Sequence, residues 1–241
     1  MLKTSQRLIL LFCISLLTSF VGVAQEETNK VIDSVATDSV VYKKKYGLRV
    51  GVDLATLART AFEDGYTGVQ IMGDFRIYKS YFLALELGNE ERTWDEENLN
   101  ATTSGSYAKI GADYNAYNNW LGMDNAIFVG LRYGFATFKN ELNSYSIYNT
   151  NQVFPSETVV PSEEFTNLSA SWAELILGIK TEVLNNLFLG INVQLKRMVS
   201  EKTPENFDNL IVPGFNRTYD FSEYGVGYGY TLTYLIPIFK R

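Results

Sequence analysis

The chain has 241 residues, 46% of them hydrophobic and 20% charged, with a formal net charge of -6 and a mean hydropathy of -0.07, which fits one sizeable folded domain and excludes a disordered chain. Histidine is absent and Cys13 is the only cysteine, so Ser-His-Asp triads, Cys-His dyads, His-ligated zinc and imidazole acid/base chemistry fall away. The acidic balance argues against a nucleic-acid partner, whose phosphates need a basic surface.

Residues 1–24 read as a secretory signal peptide. Lys3 and Arg7 precede the apolar run Leu8 to Phe20, and Gly22-Val23-Ala24 places small residues before Gln25. The run is short for a helical membrane span. Its removal takes Cys13 with it, and the mid-run position of Cys13 speaks against acylation of the first mature residue. Residues 25–45 predict a flexible periplasmic N-terminal segment, polar and without aromatic residues until Tyr42. Asp33-Ser34-Val35 and Asp38-Ser39-Val40 resemble an acceptor motif for O-linked glycans in Bacteroidota, which marks Ser34 and Ser39 as candidate attachment points on an otherwise plain tail. Lys43-Lys44-Lys45 is expected to meet inner-leaflet phosphates.

From Tyr46 onward apolar residues recur with a period of two, the pattern of half-buried strands. Leu48, Val50, Val52 and Leu54 alternate with Gly47, Arg49, Gly51 and Asp53, which predicts a first strand over Tyr46 to Leu57. Val69, Ile71, Phe75 and Ile77 oppose Gln70, Asp74 and Arg76; Tyr81, Leu83, Leu85 and Leu87 oppose Ala84, Glu86 and Glu90. A weaker fourth segment sets Ala108, Ile110, Ala112 and Tyr114 against Lys109 and Asp113, and a fifth sets Ile127 to Phe135 against Gly130, Arg132 and Gly134. The sixth opposes Leu175, Leu177 and Ile179 to Glu174, Gly178 and Lys180. The seventh opposes Leu187 to Leu195 to Gly190, Asn192, Gln194 and Lys196, and the eighth Val226 to Ile236 to Gly225, Gly227 and Gly229. No helical period stands out.

Eight such strands suit a soluble lipocalin-like barrel with the apolar face inward, or a membrane barrel with that face toward lipid. Glycines such as Gly68, Gly88, Gly130, Gly134, Gly178 and Gly190 fall on the polar face. They weaken a solvent-facing strand but make room inside a narrow barrel. Connections alternate in length: Lys79-Ser80, Asn118 to Asn125 and Leu184 to Asn186 are short, whereas Ala58 to Thr67, Thr93 to Gly105, Asn140 to Leu168 and Ser200 to Glu223 are long. That alternation marks periplasmic turns and extracellular loops. Tyr46, Tyr78, Tyr81, Tyr117 and Trp120 are then expected at the inner interface, and Tyr66, Trp94, Tyr107 and Trp172 at the outer one. The expected fold is all-β, an eight-stranded antiparallel up-and-down transmembrane β-barrel over residues 46–241, in the bacterial outer membrane with its N-terminus periplasmic.

Stretches such as Gly68-Val69-Gln70-Ile71-Met72-Gly73-Asp74-Phe75-Arg76, Glu86-Leu87-Gly88-Asn89-Glu90 and Val129-Gly130-Leu131-Arg132-Tyr133-Gly134 make the chain resemble an uncharacterised outer-membrane β-barrel family of Bacteroidota. The resemblance implies a transmembrane barrel and lends no catalytic residues. Pro237, and Lys240-Arg241 after Phe239, leave the register of the last strand open.

The candidate site is a lumen charge network. Arg49, Arg76, Lys109, Arg132, Lys180 and Lys196 are expected to face Asp53, Asp74, Glu86, Asp113 and Glu174, a balance that favours pairing in a filled interior. In the loops, Glu90-Glu91, Asp95-Glu96-Glu97 and Glu157, Glu163 and Glu164 could hold cations bridging lipopolysaccharide phosphates, but such residues are usually solvated loop surface and their spacing matches no calcium loop. Val153-Phe154-Pro155 and Val159-Val160-Pro161 could pack over the mouth. No catalytic residue, cofactor or metal site is expected. The leading reading is a non-enzymatic structural barrel or membrane subunit of an envelope complex, in contact with outer-membrane lipids, lipopolysaccharide and a lipoprotein or larger barrel. A narrow solute channel is the alternative, and a lipid- or glycan-modifying barrel enzyme comes third.

Overall fold

The structure is a computed structural model and describes residues 45–117, 124–147, 158–161, 163–205, 207–219 and 221–240. The expected signal peptide, Ser34, Ser39, Lys43, Lys44 and Trp120 lie outside these residues. The elements in chain order are β1 (Lys45–Asp53), α1 (Leu54–Phe62), β2 (Tyr66–Tyr78), β3 (Tyr81–Glu96), β4 (Leu99–Asn115), β5 (Ala126–Ser146), β6 (Thr158–Val159), β7 (Glu163–Leu184), β8 (Leu187–Glu201), β9 (Ile211–Val212), β10 (Asn216–Arg217) and β11 (Tyr224–Lys240).

Eight of these strands close into an antiparallel ring in the order β1, β2, β3, β4, β5, β7, β8 and β11, with β11 returning to β1. Every neighbour in the ring is the next long strand in sequence, so the barrel is up-and-down. The last register is settled by a bulge. Tyr46 pairs with Phe239 and Gly47 with Pro237, so the irregularity between Tyr46 and Gly47 lies where proline cannot donate to the ladder.

The strand faces separate as the alternation requires. Leu85, Ile110, Leu131, Leu177, Ile191 and Val193 are among the exposed apolar residues of the outer wall, while Arg49, Asp74, Lys109, Arg132 and Glu174 are buried inside it. Exposing that outer belt to water is costly, and lipid contact relieves the cost. An apolar belt around a charged interior is the arrangement of a membrane-spanning barrel. At the short-turn end Tyr78, Tyr81 and Tyr114 are exposed, with the Tyr81 and Tyr114 rings 5.1 Å apart.

Four features depart from the sequence expectations. The first strand ends at Asp53, and Leu54–Phe62 is a helix. Asp53 supplies the cap: its side chain accepts from Ala55 N at 3.1 Å and Thr56 Oγ1 at 2.9 Å, which satisfies first-turn donors. Residues 54–62 contain neither glycine nor proline and carry three alanines, so the helix costs little locally. The expected loop Thr93 to Gly105 is instead a continuation of β3 and β4 into a tight hairpin, paired as far as Glu96 with Leu99. The expected third loop is shortened likewise, because β5 runs on to Ser146 and β7 starts at Glu163. Finally, Tyr66, Tyr107 and Trp172 point into the lumen, not toward lipid; each is at most 4% exposed. The glycines explain that reversal: a Cβ at Gly88 would collide with the Tyr107 ring, and one at Gly134 with the Trp172 ring.

Where β1 stops, the wall changes. Its pairing ends at Val52 with Ile71 on one side and at Asp53 with Thr231 on the other. Beyond that level, among the described residues, no strand lies between Tyr66–Gln70 of β2 and Tyr224–Tyr230 of β11. Helix α1 packs against both strands there. Thr60 Oγ1 donates to Gly68 O at 3.0 Å and accepts from Gly68 N at 2.9 Å, and Asp53 Oδ1 accepts from Tyr230 N at 3.0 Å. These side chains stand in for the missing ladder, since an unpaired backbone group in a membrane wall is expensive.

Candidate functional site: the charged lumen and its plug

All eleven expected lumen residues are buried, none more than 8% exposed. Alternation on adjacent staves brings unlike charges together. At one level Asp74 receives two cations, Arg49 Nε at 2.6 Å and Lys180 Nζ at 2.7 Å. Asp74 lies on β2 and Lys180 on β7, which are diametrically opposite in the ring, so this pair crosses the whole bore. Toward the long-loop end Arg132 bridges Asp113 at 2.7 Å and Glu86 at 3.2 Å, and Lys109 lies 3.6 Å from Glu86 and 3.3 Å from Glu174. Phe82 and Phe188 flank the Arg49 guanidinium, 4.6 and 5.3 Å from its carbon, adding cation–π contact.

Three of the eleven have other partners, Lys196 among them, whose Nζ donates to the carbonyls of Gly214 and Phe215. Asp53 makes no ion pair within the described residues and is the helix cap instead. Its short side chain is committed to Ala55, Thr56 and Tyr230. Arg76 pairs with Asp124 at 3.2 Å and donates to Lys45 O at 3.0 Å, which fastens the short-turn end. Lys45 is held there as well, by Glu182 at 3.2 Å and Asn186 at 2.9 Å. That engagement turns its ammonium to protein carboxylate and amide groups, where a lipid phosphate was the sequence expectation. Among the described residues only Arg76 Nε and Thr233 Oγ1 are buried side-chain polar atoms without a hydrogen-bond partner.

The long-loop end is closed differently. Trp172 Nε1 donates to Glu174 at 3.1 Å, and above it Ile211, Val212, Pro213 and Phe215 are buried. The β9–β10 hairpin carries them inward, with Gly214 at a φ of +78° in its turn, a conformation glycine adopts without strain. Val212 and Phe215 join Tyr107, Phe138, Leu168 and Trp172 in one apolar cluster. The Phe215 ring meets Trp172 edge-on at 5.9 Å. Glu90 pins the turn by accepting from Gly214 N at 3.0 Å and Tyr66 Oη at 2.9 Å, and Lys196 donates to Gly214 O at 2.7 Å.

The plug is what sequence reading missed. Ile211-Val212-Pro213-Gly214-Phe215 is an apolar run inside a polar connection, and that contrast was its available signal. Of the segments expected over the mouth, Val153 to Pro155 lies outside the described residues, and Val160 is 70% exposed. The acidic loop residues also disperse: Glu90 is internal, Glu157 lies outside the described residues, and Glu164 pairs with Lys139 at 2.8 Å. Among the described residues no three acidic side chains converge as a metal site would need.

The lumen therefore holds its charges in fixed ion pairs across and along the bore. No curated protein matches the chain. Among solved structures it is similar to the attachment invasion locus protein Ail of Yersinia pestis, at 9% identity and a TM-score of 0.38, over 79% of this chain and 97% of that one. It is also similar to CarO2 of Acinetobacter baumannii, at 11% identity and a TM-score of 0.36, over 80% and 99% of the two chains. Residues 5–241 match the model of the family described as a domain of unknown function, DUF6048, and the chain belongs to that family.

Proposed function

We propose that this chain is a sealed, non-enzymatic β-barrel of the bacterial outer membrane that serves as a structural component or as the membrane subunit of an envelope complex. The observation that carries this reading is the Lys180–Asp74 contact of 2.7 Å between opposite staves. A pore needs an open axis, and eight strands already leave little more than the space side chains fill. The apolar plug closes the same axis a second time. With the axis occupied, what remains for function is the outer wall and the projecting hairpins.

In this reading residues 1–24 direct export, residues 25–45 lie in the periplasm with Ser34 and Ser39 open to glycosylation, and the short turns face inward. Outer-membrane lipids and lipopolysaccharide surround the belt, and a lipoprotein or larger barrel is the expected partner. Purification of the full-length protein in mild detergent after crosslinking tests the subunit role. Stoichiometric recovery of one defined envelope protein is the expected result, and a bare monomer under all conditions contradicts it.

A further inference from the structure

The interval left by β1 leads somewhere. Behind it lies a cavity of about 200 Å³. Its lining joins lumen residues, among them Lys196, Tyr107 and Gln194, to the wall residues Arg59 of α1 and Gly227 and Tyr228 of β11. The outer surfaces of the two elements that flank the interval are apolar: Leu57 and Phe62 of α1 are 40% and 89% exposed, and Tyr228, which also lines the cavity, and Tyr230 of β11 are exposed. On the inside the wall is thin, because a side chain at Gly227 would press on Gln194 and Lys196.

Lys196 gives this cavity its chemistry. It is 2% exposed, and among the described residues it is the one base of the lumen set with no carboxylate within ion-pair distance. Among the described residues its Nζ donates to the carbonyls of Gly214 at 2.7 Å and Phe215 at 3.4 Å. An ammonium carries three donors, which two carbonyls do not exhaust, and Glu174, Glu90 and Glu86 act on its charge only from beyond ion-pair distance. The other charges at the cavity are committed: Glu90 to Tyr66 and Gly214, Asp53 to its cap and Tyr230, Lys109 to Glu86 and Glu174, and Arg59 to Glu63 at 2.8 Å.

We infer that the interval between α1 and β11 is a lateral entrance, through which the phosphate of an anionic membrane amphiphile reaches Lys196 while its apolar part stays against Leu57, Phe62 and Tyr228. The barrel is thus closed along its axis and open sideways to the leaflet at its long-loop end. The site needs the membrane placement of the barrel and not the scaffold role.

The test reconstitutes the full-length protein in vesicles of phosphatidylethanolamine with phosphatidylglycerol, checks flotation, and counts retained phosphatidylglycerol by native mass spectrometry. Wild type should retain one molecule. Lys196→Gln should lower retention about tenfold or more, as loss of a charge-assisted hydrogen bond implies. Gly227→Leu, whose side chain would press on Gln194 and Lys196 from the wall, should do the same, and Tyr228 replaced by photoreactive benzoylphenylalanine should crosslink to lipid. If inorganic phosphate alone binds at Lys196 and position 228 crosslinks neither lipid nor protein, the anion enters by the mouth and the lateral entrance is wrong. Crosslinks from position 228 to protein only would overturn it in favour of strand addition to β11. Wild type that floats yet retains no phosphatidylglycerol also overturns it, whereas wild type that does not float contradicts the membrane placement itself.

Discussion

The two ends of the barrel are closed by different physics. Toward the short-turn end the ring is complete and its bore is filled by ion pairs, Arg49 and Lys180 on Asp74 and Arg76 on Asp124. Toward the long-loop end one stave is replaced by a helix, and the seal is an apolar plug of Val212 and Phe215 on Trp172. Paired buried charges are unforgiving, because loss of one partner strands the other in low dielectric. Apolar contacts degrade in proportion to the surface lost. The same chain therefore contains a rigid, all-or-none half and a half that can be loosened in steps.

The largest effect is expected from Asp74→Leu, which leaves two cations uncompensated. A loss of ~3–5 kcal/mol is expected, enough to abolish the heat-dependent gel shift of the folded barrel. Replacing Asp74, Arg49 and Lys180 together by apolar residues should recover much of that loss, and failure to recover it would break the contrast between the halves. Next, Phe215→Ala should cost ~3 kcal/mol by emptying the space beside Trp172. Its signature is protease cleavage within residues 207–219 while the gel shift persists. Smaller still, Asp53→Ala removes both the helix cap and the acceptor of Tyr230 N, worth ~1–2 kcal/mol. Hydrogen exchange should quicken across α1 and the upper part of β11 and stay unchanged at β3 to β5. At the outside, Lys139→Gln breaks an exposed pair with Glu164 and should leave urea unfolding in detergent unchanged, as exposed pairs contribute little.

The short-turn half was more legible in the sequence than the other. Alternation fixes which residues share a face, so Arg49, Asp74 and Lys180 could be placed inside from period alone, and glycine placement told inside from outside. Alternation cannot say which opposite staves meet, so the Lys180–Asp74 span needed the closed ring. In the other half local signals compete with the period. Leu54 continues the alternation of β1 by chance, yet Asp53 caps the residues after it into a helix. Tyr107 and Trp172 look like interfacial aromatics until Gly88 and Gly134 on neighbouring strands are seen to make room for them. Both require knowing cross-strand register, which no single segment encodes.

Sealing of the axis is tested most directly by single-channel recording of the purified full-length protein in planar bilayers. Wild type should insert and stay electrically silent, with Asp74, Lys180 and the plug in place. Steady, ion-selective current steps from protein whose gel shift shows it folded would contradict the account.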